Sequence, residues 1–283
     1  MNITAKTKMV GLLGWPLGHS LSPIMHNAAF AANDLDYVYL PLPTPPDLLP
    51  QAVAGIRALG FVGVNVTIPH KVAVMEYLDE IDSAAMLIGA VNTIVVSEGR
   101  LIGYNTDAGG YIRSLEQADV SVAGKSAVIL GAGGAARAVT AGFISAGAAL
   151  VTIAARDKSK AHHISESFVG KIPVTGIAWD SDEFTAALAK ASIVVNTTPV
   201  GMYPNTDNQP PVQWDILPRS TVVSDLVYNP LVTSFIAEGA RRGYTVVGGE
   251  GMLIEQGALA FELWTGCKAP TKIMRQVLFN ELK

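Results

Sequence analysis

Nine polar residues are spaced along the chain so that each lies beside the end of an apolar strand-like segment or the start of a helical one. They supply hydroxyls, amides, one ammonium and one carboxylate: Ser20, Ser22, Asn65, Thr67, Lys71, Asn92, Asp107, Tyr228 and Gln256. Such a set suits a small polyhydroxylated acid better than a lipid or a nucleotide base. Its cation–carboxylate pair, Lys71 and Asp107, could exchange a proton with a reacting hydroxyl or carbonyl.

A glycine-rich turn supplies the other part of the chemistry. The apolar run Ser126–Leu130 leads into a turn spaced G-x-G-x-x-A, and a helical pattern follows at once. The glycines allow a tight turn and close approach to a pyrophosphate, while the helix N-terminus offers N–H groups to the phosphates. The turn therefore predicts a dinucleotide site formed by Gly131, Ala132, Gly133, Gly134 and Ala135, where a nicotinamide would carry the hydride. A Walker loop is excluded, because Asp119 stands where that motif needs glycine.

The residues after the next strand leave the choice of dinucleotide open. Arg156 and Asp157 are adjacent, and Lys160 follows. An acidic residue in this region binds the ribose hydroxyls of NAD, whereas an arginine accepts the 2′-phosphate of NADP. Both signals are present, so the pattern by itself predicts NAD, NADP or both.

Alternating strand and helix patterns would position these residues in the first part of the chain. Ser22 is a suitable N-cap, Pro23 suits the first helical position, and Asp107 could cap the helix Ala108–Gln117. The strand patterns are Val10–Gly14, Asp36–Leu42 and Phe61–Val66, with a hairpin of Ala90–Val96 and Arg100–Tyr104 around Ser97–Gly99. Helical spacing covers Ser22 to about Asn33, Asp47–Leu59 and Val72–Ile81.

The second part reads as a parallel α/β unit. Its strand patterns are Ser126–Leu130, Val151–Ala154, Ser192–Asn196, Thr221–Leu226 and Tyr244–Gly248, and Tyr228–Pro230 is expected to open a helix that ends near Gly243. No strand pattern follows the final helices, so we expect them to return to the N-terminal domain. The predicted fold is α/β: an N-terminal α/β substrate domain (1–107, completed by 253–283) and a Rossmann-type doubly wound parallel sheet (108–252), with a cleft between them.

Composition narrows the functional classes. With 24 acidic and 20 basic residues and a net charge of −4, nothing indicates nucleic-acid binding or a polybasic membrane patch. The single Cys267 and the absence of an apolar leader favour a reducing cytoplasm. The uncharged stretch 138–155 is long enough to raise the question of a membrane span, but its glycines and β-branched end favour a buried helix and strand. His162 and His163 lack a third ligand at useful spacing, so no metal is expected.

Eight motifs, in order, resemble those of the shikimate/quinate dehydrogenase family along nearly the whole chain. They are Gly18-His-Ser-Leu-Ser-Pro23, Asn65-Val-Thr-Ile-Pro-His-Lys71, Ala90-Val-Asn-Thr93, Gly103-Tyr-Asn-Thr-Asp107, Gly131-Ala-Gly-Gly-Ala135, Asn196-Thr-Thr-Pro-Val-Gly-Met202, Asp225-Leu-Val-Tyr-Asn-Pro230 and Gly251-Met-Leu-Ile-Glu-Gln-Gly257. The resemblance implies NAD(P)-dependent interconversion of 3-dehydroshikimate and shikimate in aromatic amino-acid biosynthesis, and it extends to the quinate/3-dehydroquinate pair.

The resemblance also implies roles for individual residues. Ser20 and Ser22 would hold the substrate carboxylate, Lys71 and Asp107 would be the catalytic pair, and Tyr228 would lie near the substrate. The substrate hydroxyls would be contacted by Asn65, Thr67, Asn92, Asp107 and Gln256. The cofactor would be contacted by Thr197, Val227, Gly249 and Met252 in addition to the glycine turn, Arg156, Asp157 and Lys160.

One departure from the family pattern concerns the cofactor. NADP-specific members carry Asn-Arg-Thr where this chain has Ala155-Arg156-Asp157, and the Asp157 carboxylate would repel a 2′-phosphate. An NAD-preferring quinate dehydrogenase, an enzyme for another cyclic polyol acid such as an amino-shikimate, and a catalytically silent ligand sensor are the alternatives. Ser22 in place of threonine favours shikimate, whereas Leu263–Gly266 and Asp79–Asp82 resemble the broad-specificity branch. A monomer and a homodimer are both compatible with the sequence.

Overall fold

A computed structural model describes residues 3–18 and 20–282 of the chain. His19, within the first motif, lies outside the described residues. The chain divides into two compact units. The first unit contains residues 1–106 and 254–283, and the second contains residues 107–253.

Each unit is built on a six-stranded sheet. The strands of the first unit are β1 (Lys8–Gly14), β2 (Tyr37–Pro43), β3 (Gly63–Val66), β4 (Glu80–Ile81), β5 (Thr93–Ser97) and β6 (Arg100–Tyr104), in the spatial order β2-β1-β3-β5-β6-β4. Those of the second are β7 (Ser126–Leu130), β8 (Leu150–Ala155), β9 (Val174–Ala178), β10 (Ile193–Asn196), β11 (Val222–Asp225) and β12 (Thr245–Val247), in the order β12-β11-β10-β7-β8-β9. Every pairing in the second sheet is parallel, which is the doubly wound arrangement.

Ten α-helices connect and cover the strands of the described residues. They are α1 (Ser22–Ala32), α2 (Leu49–Ala58), α3 (Ser83–Ile88), α4 (Asp107–Gln117), α5 (Gly134–Ser145), α6 (Lys158–Glu166), α7 (Asp182–Leu188), α8 (Ser234–Arg241), α9 (Gly249–Thr265) and α10 (Thr271–Glu281). The predicted fold class, an N-terminal α/β domain followed by a Rossmann-type parallel sheet, is confirmed. Stretch 138–155 forms most of α5 and all of β8, and no helix among the described residues is long and apolar enough to cross a membrane.

One edge of the first sheet is β2, and its sequence protects it from pairing with another strand. The backbone groups of even-numbered residues face β1, since the carbonyl of Asp36 accepts from the N–H of Lys8. The backbone groups of the odd-numbered residues of β2 therefore face away from β1. Two of those residues are Pro41 and Pro43, which have no N–H to offer. The N–H of Tyr37 donates to the carbonyl of Leu35 at 2.9 Å, and both backbone groups of Tyr39 are bonded by the side-chain amide of Asn27 at 2.8 and 3.0 Å. The edge therefore offers few free groups to another strand.

The hairpin β5–β6 is confirmed, whereas the helix predicted over Val72–Ile81 is wrong. Glu98 and Gly99 have φ of 51° and 75°, as a tight two-residue turn between paired strands requires. Only a short 3₁₀ segment, Ala73–Tyr77, forms in the other region, and the chain then extends into β4. Asp79 causes the change, since its carboxylate accepts from the N–H of Leu101 at 2.6 Å and its backbone N–H donates to the same residue.

Helix α9 packs on the first sheet through an aromatic cluster. The indole N–H of Trp264 donates to the carbonyl of Ile94 at 3.0 Å, above Gly63, where a side chain would collide with both groups. His26 of α1 stacks on Tyr39 with ring centroids 4.5 Å apart and lies 5.4 Å from the Trp264 ring. Helices from both parts of the first unit's sequence, α1 and α9, therefore pack together on its sheet.

Helix α8 begins later than the sequence pattern predicts. The predicted opening at Tyr228–Pro230 is wrong, because α8 starts at Ser234 with Thr233 as its N-cap. The Thr233 hydroxyl oxygen accepts from the N–H of Ile236 at 3.2 Å and donates to Asp225 at 2.7 Å. Residues 226–232 consequently remain a loop at the carboxyl end of β11.

Candidate active site

Six of the predicted substrate ligands lie at one edge of the first sheet. Strands β1 and β3 run parallel, and β5 runs antiparallel to β3 with Asn65 opposite Thr93. The residues after β1 and β3 and the residue before β5 must therefore meet at the same edge. We call this cluster the polar edge; it consists of Ser20, Ser22, Asn65, Thr67, Lys71 and Asn92, with Ser20 and Ser22 supplied by the loop after β1 and the start of α1.

Ser20 and Ser22 lie at the N-terminus of α1, but Ser22 is not its cap. The N-cap residue is Leu21, whose backbone already has helical angles, so Ser22 becomes the first helical residue and Pro23 the second. Ser20 takes part of the capping role by accepting from the N–H of Ser22 at 3.3 Å. Two half-buried hydroxyls at a helix N-terminus can bind a carboxylate, because the dipole and the donors act together.

Asn65 and Asn92 belong to one buried hydrogen-bond network. Asn65 Oδ1 accepts from the Tyr39 hydroxyl at 2.8 Å, and its Nδ2 donates to the carbonyl of Asn92 and to Thr93 Oγ1. Asn92 Oδ1 accepts from the N–H of Thr106 at 2.8 Å, and its Nδ2 donates to the hydroxyl of the same threonine at 2.9 Å. The two amides are 5% and 2% exposed, so their orientations are set by the protein.

Backbone contacts hold Lys71 at the polar edge. Its carbonyl accepts from the N–H of Val91 at 2.8 Å, one residue before Asn92. The preceding residue, His70, is buried, and its Nε2 lies 2.8 Å from the carbonyl of Thr44. Thr67 N–H donates to Leu13 at 2.9 Å, which ties the loop after β3 to β1.

The remaining predicted substrate ligands lie on other elements. Asp107 is 8% exposed and is the first residue of α4, so it belongs to the first helical turn instead of preceding it as a cap. Lys71 belongs to the first unit and Asp107 to the second, and their pairing stays a prediction. Tyr228 lies in the loop after β11, and burial raises the pKa of its hydroxyl. Gln256 lies on α9, next to Gly257, whose missing side chain lets α9 approach Met25 of α1.

The glycine turn has the geometry that a phosphate requires. Gly131 has a φ of +114°, and a side chain there would also meet the Thr197 hydroxyl at 2.8 Å. The N-cap of α5 is Gly133, and no side chain among the described residues forms a capping hydrogen bond with this helix. Gly133 and Gly134 are exposed, so the N–H groups of the first turn of α5 face solvent or a ligand. Thr197 itself donates its hydroxyl to Leu130 at 2.7 Å and thereby holds the loop after β10 against the turn.

Asp157 is engaged with α6. Its Oδ1 accepts from the N–H of Ser159 at 3.0 Å and from its hydroxyl at 2.5 Å, and these bonds hold the pKa of the carboxyl below its usual range. Asp157 is therefore the N-cap of α6. Arg156 is exposed, with its guanidinium 5.9 Å from the ring centre of Trp179.

A cavity of about 220 Å³ opens beside the glycine turn. Its lining is Ala132, Arg137, Ser159, Lys160, His163 and Ile164. Sequence reasoning found Ala132 and Lys160 but missed Arg137, Ser159 and His163. The missed residues lie on α5 and α6, and a signal was present: Arg137 and Lys160 are basic residues in the first turns of these helices, and His163 lies one turn after Ser159.

Asp225 joins the loops in which further predicted cofactor residues lie. Its carboxylate accepts from Asn196 Nδ2 at 2.9 Å, from the N–H of Val227 at 3.0 Å and from the Thr233 hydroxyl at 2.7 Å. Burial raises the pKa of Asp225 to about 6, although these hydrogen bonds oppose the shift. The loops after β10 and β11 are thus fixed to each other, and Gly249 packs against the backbone of the second, at Leu226 and Val227. The half-buried Met252 follows in the first turn of α9.

The second unit therefore fits a dinucleotide on grounds of its own. An uncapped helix N-terminus, a positive-φ glycine and a cavity with basic residues are suitable for phosphate groups. The first unit offers hydroxyls and oriented amides together with Lys71, which suits a polyhydroxylated acid. Among the described residues no group of three or more histidine, cysteine or acidic side chains could hold a metal ion.

Comparison with known proteins identifies similar chains. Three family models match: the shikimate dehydrogenase substrate binding domain at residues 12–94, shikimate/quinate 5-dehydrogenase at 114–203 and the shikimate 5'-dehydrogenase C-terminal domain at 249–279. A shikimate dehydrogenase (NADP(+)) of Methanopyrus kandleri is 48% identical over 286 residues, covering 100% of this chain and 99% of the relative.

Solved structures are similar over nearly the whole length. Shikimate 5-dehydrogenase from Listeria monocytogenes, in complex with shikimate and NAD, has a TM-score of 0.93 at 36% identity and covers 99% of each chain. Quinate dehydrogenase from Corynebacterium glutamicum, in complex with NAD, has a TM-score of 0.90 at 30% identity, covering 97% of this chain and 99% of the other.

Proposed function

The chain belongs to the shikimate dehydrogenase family, and from that premise we propose that it interconverts shikimate and 3-dehydroshikimate with a nicotinamide dinucleotide. The resemblance that the sequence motifs predicted is thereby confirmed. One observation carries the proposal: oriented amides and Lys71 are held at the polar edge of the first unit, while the second unit has an uncapped helix start behind a positive-φ glycine. We propose a cytoplasmic location, which the single half-buried cysteine supports.

Each part of the polar edge has a role in this reaction. Ser20 and Ser22 bind the substrate carboxylate at the start of α1, and Thr67, Asn92 and Gln256 contact its hydroxyls. When bound, the nicotinamide accepts the hydride from the carbon that bears the reacting hydroxyl. Lys71 and Asp107 take up the proton of that hydroxyl and return it in the reverse direction. Tyr228 lies near the substrate.

The cofactor is proposed to be NADP, with NAD accepted less well. The glycine turn binds the pyrophosphate, and Thr197, Val227, Gly249 and Met252 flank the nicotinamide. Arg156 and Lys160 bind the 2′-phosphate, supported by the basic lining of the neighbouring cavity. Asp157 opposes this binding, but less than a free carboxylate would, because its charge is hydrogen-bonded at the N-terminus of α6.

A matrix of two substrates and two cofactors tests the proposal. Initial rates are measured for shikimate and quinate with NADP⁺ and NAD⁺, following the absorbance of the reduced nicotinamide. We expect the highest kcat/KM with shikimate and NADP⁺. A higher value with quinate and NAD⁺ would establish the quinate dehydrogenase alternative, and binding without turnover in all four combinations would establish a ligand sensor.

Replacement of Lys71 tests the assignment of the proton-transfer group. We expect Lys71→Ala to lower kcat by about 10²- to 10⁴-fold while the Kd of NADP⁺, measured by calorimetry, stays unchanged. The matched control is Lys6→Ala, which removes an exposed lysine from the same unit. A Lys71→Ala enzyme with wild-type kcat would remove Lys71 from the mechanism.

A further inference from the structure

Tyr39 is a fully buried phenol directly beneath the polar edge. It is 1% exposed, it lies on β2, and its ring stacks on His26 with an interplanar angle of 1°. Burial raises its pKa well above the ordinary range, and the nearby Ser22 hydroxyl offsets only part of that effect. The phenol therefore stays protonated, and its proton is donated to Asn65 Oδ1 at 2.8 Å.

Donation from Tyr39 leaves Asn65 with one amide orientation. Because Oδ1 is the acceptor, the two N–H groups must point the other way, and both are used: one donates to the carbonyl of Asn92 at 3.3 Å and the other to Thr93 Oγ1 at 3.1 Å. Asn65 is only 5% exposed. It has no amide proton left for a ligand, so it acts on the substrate through its neighbours, unlike the direct contact that the resemblance implied.

The hydrogen bonds continue in one direction from Asn65. Thr93 Oγ1 accepts from Asn65 and donates its only proton to Asn92 Oδ1 at 3.0 Å. Asn92 Oδ1 is thereby held as the acceptor side of that amide, which also receives the N–H of Thr106. Every side chain from Tyr39 to Thr106 in this chain of bonds is less than 9% exposed. Loss of the Tyr39 hydroxyl is therefore expected to alter the orientation of Asn92 through Asn65 and Thr93, because all four side chains are buried.

We propose that Tyr39 is a positioning residue for the substrate: its hydroxyl orients the amide of Asn92 through Asn65 and Thr93. The proposal rests on the function proposed above. It assigns specificity for the hydroxyl pattern to a residue that does not touch the substrate, and it makes Asn65 a link in that chain.

The test is Tyr39→Phe, with Tyr37→Phe as the matched control. Tyr37 is on the same strand, is also buried, and its hydroxyl donates to the Trp264 carbonyl at 3.4 Å, away from the polar edge. We expect Tyr39→Phe to raise the KM for shikimate by about tenfold, with a smaller change in kcat and an unchanged Kd for NADP⁺. The control should keep its KM for shikimate within about twofold of wild type.

A second variant keeps the test independent of how well Tyr39→Phe folds. Thr93→Val is nearly isosteric and breaks the chain between Asn65 and Asn92, so it should raise the same KM and also leave NADP⁺ binding unchanged. If both variants keep the wild-type KM, or if Tyr37→Phe shifts it equally, the proposal is wrong. Wild-type protein that fails to turn over shikimate would instead refute the proposed function, which is a different result.

Discussion

Removing the imidazole of His26 should make the free energy of unfolding fall less steeply between pH 7 and pH 5. The ring is fully buried, and neither of its nitrogens has a hydrogen-bond partner among the described residues. Its neighbours are the rings of Tyr39, Trp264 and Phe30, none of which carries a charge. Burial therefore lowers the pKa of His26 from 6.5 to about 3. The native protein holds a neutral imidazole that the unfolded chain would protonate.

The sign and size of the effect follow from that shift. A histidine whose pKa is lowered on folding contributes stability that is complete above its unfolded pKa and is lost as the pH falls towards its folded pKa. With values of 6.5 and about 3, the difference in proton binding removes about 2 kcal/mol between pH 7 and pH 5. Asp225 acts in the opposite direction over part of this range, because its pKa is raised to about 6. The comparison must therefore be between variants at each pH.

The assay is the free energy of unfolding from urea titrations, followed by circular dichroism, for wild type and His26→Leu. Leucine has about the same volume as histidine and cannot be protonated. The variant should lose about 2 kcal/mol less than wild type between pH 7 and pH 5. His163→Leu, which removes an exposed histidine, is the control and should parallel wild type. A His26→Leu curve that parallels wild type would refute the reasoning that a buried neutral imidazole controls acid stability.

Three further predictions concern other positions. Gly63→Ala should lower the free energy of unfolding by at least about 2 kcal/mol, because the added methyl would collide with a carbonyl and an indole. The control Gly55→Ala has open space around it inside α2 and should raise the free energy of unfolding by about 0.5–1 kcal/mol. Equal effects of the two substitutions would contradict the packing argument. Thr233→Val should lower the free energy of unfolding, measured by urea titration, by about 1–3 kcal/mol. The loss should be larger at pH 8 than at pH 5, because the Thr233 hydroxyl stabilises the ionised form of Asp225. A loss that does not vary with pH would count against this prediction. Asp157→Thr should raise the NADP⁺/NAD⁺ ratio of kcat/KM by about tenfold, because the charge that repels the 2′-phosphate is lost. The melting temperature should change little, since threonine can still cap α6. An unchanged ratio would show that the Asp157 charge does not influence cofactor choice.

Elements with strong local signals were predicted closely. The strand Ser126–Leu130 and the glycine turn after it match residue for residue, and so does β6. Alternation, positive-φ glycines and short apolar runs act within a few residues, so they can be read without knowing the fold. The family was recognisable for the same reason, because its motifs are local.

Predictions failed where a distant partner decides the local structure. Helical spacing over Val72–Ile81 gave way to β4, because Asp79 bonds the backbone of a strand more than twenty residues later. The start of α8 moved to Ser234, because Thr233 is held by the buried Asp225. Leu101 is 22 positions from Asp79 and Asp225 is 8 positions from Thr233, so neither pairing follows from the spacing of a helix or a strand.

The sequence by itself determined the kinds of chemistry available: the glycine turn for a pyrophosphate, and the hydroxyls, amides and Lys71 for a polyhydroxylated acid. Tertiary structure alone decided how those groups are used. Asn65 donates both amide protons within the protein, and Asp157 caps a helix. His26 is buried with no hydrogen-bond partner among the described residues. The physical reason is that a side chain's type fixes what it can donate or accept, whereas burial and the neighbours brought by other strands fix which of those bonds remain for a ligand.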